Sequence, residues 1–335
     1  MTPRSDPPSG TTLAELGEFG LLRVLTGRFE QGQHVFVGPG DDAAVVRTPQ
    51  GHVVVSTDLL VEGRHFRRDW AGAREIGRKA AAANLSDLNA MGGTAHSLTV
   101  GLALPPTLDV GWVLELVDGI AEEAALVGAS IVGGDLTTGA EVVVAITALG
   151  ACELSPVRRD GAQTGDVVGL AGRQGWAAAG LAVLARGFRS PRVLVEAYQR
   201  PQPPYGAGIA AARAGATSMI DVSDGLLADL GHLAAASGTR IDLRSDAFDL
   251  AEPLRAVGAA LGTDPMQFVL GGGDDHAIAA TFPAGSALPE GFTAVGSVRS
   301  AGEAGEAGKA GEPGQPAVTV DGAAYDGPSG WSHFA

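Results

Sequence analysis

Apolar residues recur at helical spacing across Thr12–Leu25, and Thr12 with Glu15 predicts a capping box at its start. Val53–Asp58 reads as a strand that ends in two hydroxyls and a carboxylate. A long helix is predicted over Ala73–Met91, with Ile76, Ala80, Ala83, Leu85 and Leu88 on its inner face and Gly92-Gly93 as its stop. Ala95–Leu104 is a strand halted by Pro105-Pro106, and Asp109 caps a helix that runs to Val127. A short strand, Ser130–Val132, leads into Gly133-Gly-Asp-Leu-Thr-Thr138, and Glu141–Ala151 is a β-branched strand. This alternation predicts an α/β or α+β domain.

A boundary is expected within residues 151–158, giving a first domain over 13–152 and a second over 153–335. The second half restarts with a strand over Gly165–Ala171 and helices over Gly175–Arg186 and Ser190–Arg200, the latter ended by Pro201. Pro201-Gln-Pro-Pro204 is a stiff connector, followed by a helix over Gly206–Ala214. Ser218–Gly225 is a strand ending in an acidic turn, and Leu226–Ser237 is the helix after it. Arg240–Leu243 and Ala277–Phe282 read as further strands, the latter after Gly271-Gly-Gly-Asp-Asp-His276. Residues 1–12 are expected to be a disordered tail, and residues 300–316 a flexible Gly/Ala/Glu-rich loop without chemistry.

Composition narrows the function classes. With 335 residues, 45% of them hydrophobic, the chain supports two domains with real cores. No apolar run reaches the roughly 20 residues of a membrane span, and the polar, proline-rich start predicts no export, so a cytoplasmic protein is expected. The single cysteine, Cys152, excludes an internal disulfide and a cysteine-built zinc site. A net charge of −15 argues against nonspecific nucleic-acid binding. An anionic substrate then needs metal ions or arginines around it.

The candidate chemistry is acidic. Gly38-Pro-Gly-Asp-Asp42 is a glycine-rich turn, and Ser56, Thr57 and Asp58 end the strand beyond it. Further carboxylates recur beside glycines or at element ends: Asp87, Asp135, Asp221, Asp224, Asp274 and Asp275. One such residue is usually a turn former or a cap. Many of them, without clustered histidine, point to Mg2+ and to phosphoryl transfer. Arg159 offers a planar fork to a phosphate or is a solvated loop charge. His65 is read as an ordinary loop or core histidine, and Trp331 either pins the terminus or stacks on a flat heterocycle. Gly72–Lys79 only imitates a nucleotide-binding P-loop, since arginine stands at its lysine position.

Together these segments resemble the thiamine-monophosphate kinase family. Gly38-Pro-Gly-Asp-Asp42, Ser56-Thr-Asp-Leu-Leu-Val-Glu-Gly-Arg-His-Phe66, Asn84-Leu-Ser-Asp-Leu-Asn-Ala-Met-Gly92, Gly133-Gly-Asp135, Val222-Ser-Asp-Gly-Leu226, Gly271-Gly-Gly-Asp-Asp275 and Gly330-Trp-Ser-His-Phe334 follow its order. The resemblance implies a two-domain fold of the aminoimidazole ribonucleotide synthetase-like superfamily and a homodimer whose first-domain strands combine. It implies ATP-dependent conversion of thiamine monophosphate to thiamine diphosphate by in-line transfer with several Mg2+ ions and no general base. By motif position it assigns Asp42, Ser56, Thr57, Asp58, Asp87, Asp135, Asp221 and Asp224 to metal. Gly134, Asp135, Arg159 and Ser223 go to ATP; His65, Asp274 and Trp331 go to the substrate. The chain departs from the family's usual Gly-Gly-Glu-Asp-Tyr-Glu at Gly272-Gly-Asp-Asp-His-Ala277. The rivals are a ligase of the same superfamily acting on another acceptor, and a non-enzymatic divalent-cation-binding protein.

Overall fold

The computed structural model describes residues 7–8, 10–37, 45–48, 51–301 and 317–331. The acidic turn with Asp42, most of the loop over 300–316, and the last four residues lie outside these. The chain divides into two compact units, Met1–Leu88 with Thr94–Ala151, and Asn89–Gly93 with Cys152–Ala335. The fold is mixed α/β, with a principal sheet in each unit.

The first unit begins with two short helices, α1 (Leu13–Leu16) and α2 (Glu18–Thr26). The expected single helix breaks at Gly17, whose φ of 72° lies outside the helical range. Thr12 and Glu15 form the capping box. Next come β1 (Val35–Val37) and β2 (Val45–Val46), a two-stranded antiparallel pair. Then follow β3 (Val54–Val61), α3 (Ala73–Ala90), β4 (Gly93–Leu104), α4 (Val110–Ala125), β5 (Ser130–Thr138) and β6 (Val143–Cys152). The sheet order is β3-β6-β4-β5, with β3 antiparallel to β6 and β4 parallel to β5. β5 is longer than the sequence pattern suggests, because it runs through Gly133-Gly134-Asp135 alongside β4.

Ile76, Ala80, Leu85 and Leu88 of α3 are buried, but so are Ala81, Ala82, Asn84 and Ser86. The helix is therefore enclosed on more than the one face its pattern predicts, whereas Ala83 is only half-buried. One face of the sheet is buried through alternate residues such as Val144, Ile146 and Ala148 of β6. The other carries Val55 and Leu59 of β3, 60% and 55% exposed.

The second unit contains β7 (Val167–Ala171), α5 (Trp176–Ala185), α6 (Arg192–Gln199), α7 (Ala207–Arg213), β8 (Ser218–Val222), α8 (Leu226–Ser237) and β9 (Arg240–Leu243). It continues with α9 (Glu252–Leu261), α10 (Met266–Gly271), β10 (Ala277–Phe282), β11 (Phe292–Arg299) and β12 (Val318–Val320). These strands form a sheet in the order β12-β9-β11-β7-β10-β8, antiparallel except for β12 beside β9. α8 packs Leu226, Leu230 and Leu233 against the sheet residues Ile220, Ala279 and Ile241. That packing sets the turn between β8 and α8, where Ser223 and Asp224 lie. No helix among the described residues is long and apolar enough to cross a membrane.

Candidate active site

In the first unit the candidate residues fall on both faces of the sheet. Side chains alternate along a strand, so Ser56 and Asp58 share one face and Thr57 takes the other. Ser56 donates from Oγ to Asp87 Oδ2 at 2.5 Å, joining β3 to α3. The amide of Asp58 donates to Asn84 Oδ1 at 3.0 Å, and Asn84 Nδ2 donates to the carbonyl of Ala80. Asn84 is fully buried, and its amide is thereby oriented as a fixed strut under Asp58. Thr57 instead meets Thr147 of β6 on the open face, hydroxyl to hydroxyl at 2.9 Å.

Asp135 is exposed and pairs in register with Gly101 of β4. β5 and β3 are at opposite edges of the sheet, three strand spacings apart, or on the order of 14 Å. Asp135 and Asp58 of one chain therefore stand on opposite edge strands of that sheet. Gly134 has a packing reason of its own, since a Cβ there would lie 1.9 Å from the carbonyl of Val100. His65 sits in the tight loop after β3 and accepts the amide of Val61 at Nδ1, 3.0 Å away. A neutral imidazole accepting there carries its proton on Nε2.

In the second unit three distant segments meet at one turn. Asp221 lies near the end of β8, is 4% exposed, and has His276 Nδ1 at 3.3 Å from Oδ2. The amides of Ser223, Asp224 and Gly225 all donate to Oδ2 of Asp229, one turn into α8. The carbonyl of Ser223 accepts the amide of Asp274, and that of Asp224 accepts the amide of Trp331. Gly273 presses so closely that a Cβ would lie 1.9 Å from the Ser223 carbonyl. Asp274 and His276 adopt positive φ values of 68° and 55°, strained for residues with a Cβ. Between them Asp275 is buried and accepts the amide of Ala177 at the start of α5. Trp331 leaves its indole 57% exposed. Arg159 is exposed, with its carbonyl accepting Ser237 Oγ.

The turn thus gathers Asp221, Ser223, Asp224, Asp274 and Trp331, five of the residues singled out in the sequence. Sequence reasoning missed Asp229 and Asn84, which hold the others in place. Nothing in the letters marks them: an Asp inside a helix reads as surface, and an Asn beside Ser and Asp reads as part of the motif.

Burial dominates the electrostatics of the turn. Burial pushes the carboxyl of Asp229 up to about 7, opposed by its backbone donors and reinforced by the charges of Asp221 and Asp224. Among the described residues no group of three or more His, Cys, Asp or Glu side chains is placed to hold a metal by itself. Mg2+ suits this arrangement, since it is usually held by one or two carboxylates together with phosphate oxygens and water. The residues present fit Mg2+ bound with a polyphosphate, not an all-protein cage.

The family described as AIR synthase related protein, N-terminal domain, matches residues 40–152. The thiamine-monophosphate kinase of Mycobacterium tuberculosis (strain CDC 1551 / Oshkosh) is 44% identical over 326 residues, covering 96% of this chain and 93% of that protein. The crystal structure of thiamine-monophosphate kinase from Stenotrophomonas maltophilia K279a superposes with a TM-score of 0.76 at 31% identity, over 91% of this chain and 95% of that one. A structure of AaThiL complexed with AMPPCP and TMP gives a TM-score of 0.74 at 30% identity, over 97% and 99%. With this likeness along nearly its whole length, the chain belongs to the thiamine-monophosphate kinase family, within the AIR synthase-like superfamily.

Proposed function

We propose that this protein transfers the terminal phosphoryl group of ATP to the phosphate of thiamine monophosphate, giving thiamine diphosphate and ADP. The observation that carries the reading is the turn 221–225, where residues assigned to nucleotide and metal hang from the same backbone as residues assigned to substrate. Likeness to AaThiL, solved with AMPPCP and TMP, supports the pair of ligands.

Ser56, Asp58 and Asp87 form one oxygen group for Mg2+, with Asp42 assigned to it by motif. Asp221 and Asp224 form another. Asp135 and Thr57, on the open face of the first unit's sheet, serve different ions or reach one through ATP. Bound Mg2+ supplies neutralisation of the charge on the phosphates. The protein's own groups bind and orient. Gly134, Asp135, Arg159 and the Ser223 hydroxyl are assigned to ATP. His65 is assigned to the substrate, Asp274 to its thiamine portion and the Trp331 indole to stacking on a heterocycle. The acceptor phosphate is already ionised at neutral pH, so positioning carries catalysis without a general base.

The open sheet face with Val55, Thr57 and Leu59 fits a second copy of the same chain, and we assign a homodimer through it. The reading places the enzyme in the cytoplasm, with ATP, and assigns it no nucleic-acid or membrane partner. The test is incubation with ATP, Mg2+ and thiamine monophosphate, with aminoimidazole ribonucleotide precursors run alongside. Thiamine diphosphate from the first mixture and no ligation product from the second is the expected result. The reverse outcome assigns the chain to the ligase branch.

A further inference from the structure

Asp229 is 3% exposed, and a single oxygen, Oδ2, accepts the amides of Ser223, Asp224 and Gly225, each at 3.0 Å. Successive amides pointing at one spot make a concavity of the kind that binds anions. Here the occupant is the chain's own side chain, so these amides are closed to a phosphate. Ser223 then meets ATP through its hydroxyl and not its amide. The carbonyls are committed as well: that of Ser223 to the amide of Asp274 at 3.0 Å, and that of Asp224 to the amide of Trp331 at 2.9 Å. Neither peptide of the turn can rotate without breaking a bond on each side.

We propose that Asp229 is a positioning residue for phosphoryl transfer, whose one oxygen fixes the turn 223–225 and, through that turn's carbonyls, keeps Asp274 and Trp331 in register with Ser223 and Asp224. The inference rests on the function proposed above. An Asp that merely starts α8 makes some of the same bonds, but its loss lowers stability alone. A positioning role couples Asp229 to both ligands at once, because ATP-side and substrate-side residues share the turn.

The test compares Asp229→Asn, Asp229→Glu and Asp229→Ala with the control Asp166→Asn. Asp166 is buried, and its carboxylate accepts the Gln163 amide and the Thr217 hydroxyl, neither of them an assigned ligand residue. Binding of AMPPCP with Mg2+ and of thiamine monophosphate is measured by calorimetry, beside kcat and Tm. Asn keeps an acceptor in place, Glu shifts it by a methylene and Ala removes it. Activity and both affinities should fall in the order wild type, Asn, then Glu and Ala, with kcat down about 100-fold in the last two, the cost of a misplacement near 1 Å. Asp166→Asn should lower Tm and leave kcat unchanged. If the Ala variant does not fold, the Asn and Glu pair decides the matter. Glu or Ala variants that fold and keep kcat and both affinities within about twofold overturn the proposal. A wild-type protein that binds neither ligand sinks the functional reading itself.

Discussion

The amide of Asp274 donates to the carbonyl of Ser223 at 3.0 Å, so one main-chain hydrogen bond ties together two segments distant in the sequence. Gly273 makes this approach feasible, because a Cβ there would lie 1.9 Å from that carbonyl. The obstructing atom is backbone and cannot swing aside. Gly273→Ala should therefore push the 271–274 segment off the turn, at a cost of about 1–3 kcal/mol as in other overpacked sites. Urea unfolding should register the loss, and KM should rise for ATP and thiamine monophosphate together. Unchanged stability and kinetics would mean the contact is not formed.

Trp331 presents the opposite case. Its main-chain amide binds Asp224, while its indole is 57% exposed. Trp331→Ala keeps the amide, so stability should stay within about 0.5 kcal/mol of wild type. A stacking contact is worth roughly 0.5–1.5 kcal/mol. KM for thiamine monophosphate should rise accordingly, with that for ATP unmoved. An unchanged KM would make the indole a bystander.

Asp87 accepts the Ser56 hydroxyl at 2.5 Å. Asp87→Asn retains an acceptor for that bond but loses the charge. Tm should stay near wild type, while the Mg2+ concentration for half-maximal turnover should rise roughly 10- to 100-fold, the scale of losses around metal sites. A Mg2+ titration that overlays the wild type would remove Asp87 from the metal group.

Burial pushes the carboxyl of Asp275 up to about 7 from 3.8, against the opposing pull of the Ala177 amide and Arg173. Between those values the folded protein holds a proton that the unfolded chain has released. Stability from this group is complete below about 4 and declines as pH rises toward 7. Asp275→Asn cannot ionise, so its Tm should fall less than that of wild type across the same interval. Parallel Tm profiles would show that Asp275 is ionised throughout.

Much of the fold was legible because the pattern was strong and local. The Ala73–Met91 and Asp109–Val127 helices, with their stop and cap, closely match α3 and α4. The parts that were not legible depend on distant partners. β12 has three residues and exists by pairing with β9, while α9 is short and has a glycine among its three buried residues, Leu254, Val257 and Gly258. β11 is interrupted by a register shift near Gly296. The acidic residues stood out because carboxylates beside glycine are uncommon in such numbers. Strand periodicity alone separates Thr57 from Ser56 and Asp58, a distinction that motif position hides. Asn84 and Asp229 act through where backbone amides point, which is visible only once the chain is folded.

The most direct measurement follows ATP labelled in its terminal phosphate, in the presence of Mg2+ and thiamine monophosphate. The label should appear in thiamine diphosphate, one for each ADP formed, and not in inorganic phosphate. Label released as inorganic phosphate, with thiamine monophosphate returned unchanged, would contradict the assignment.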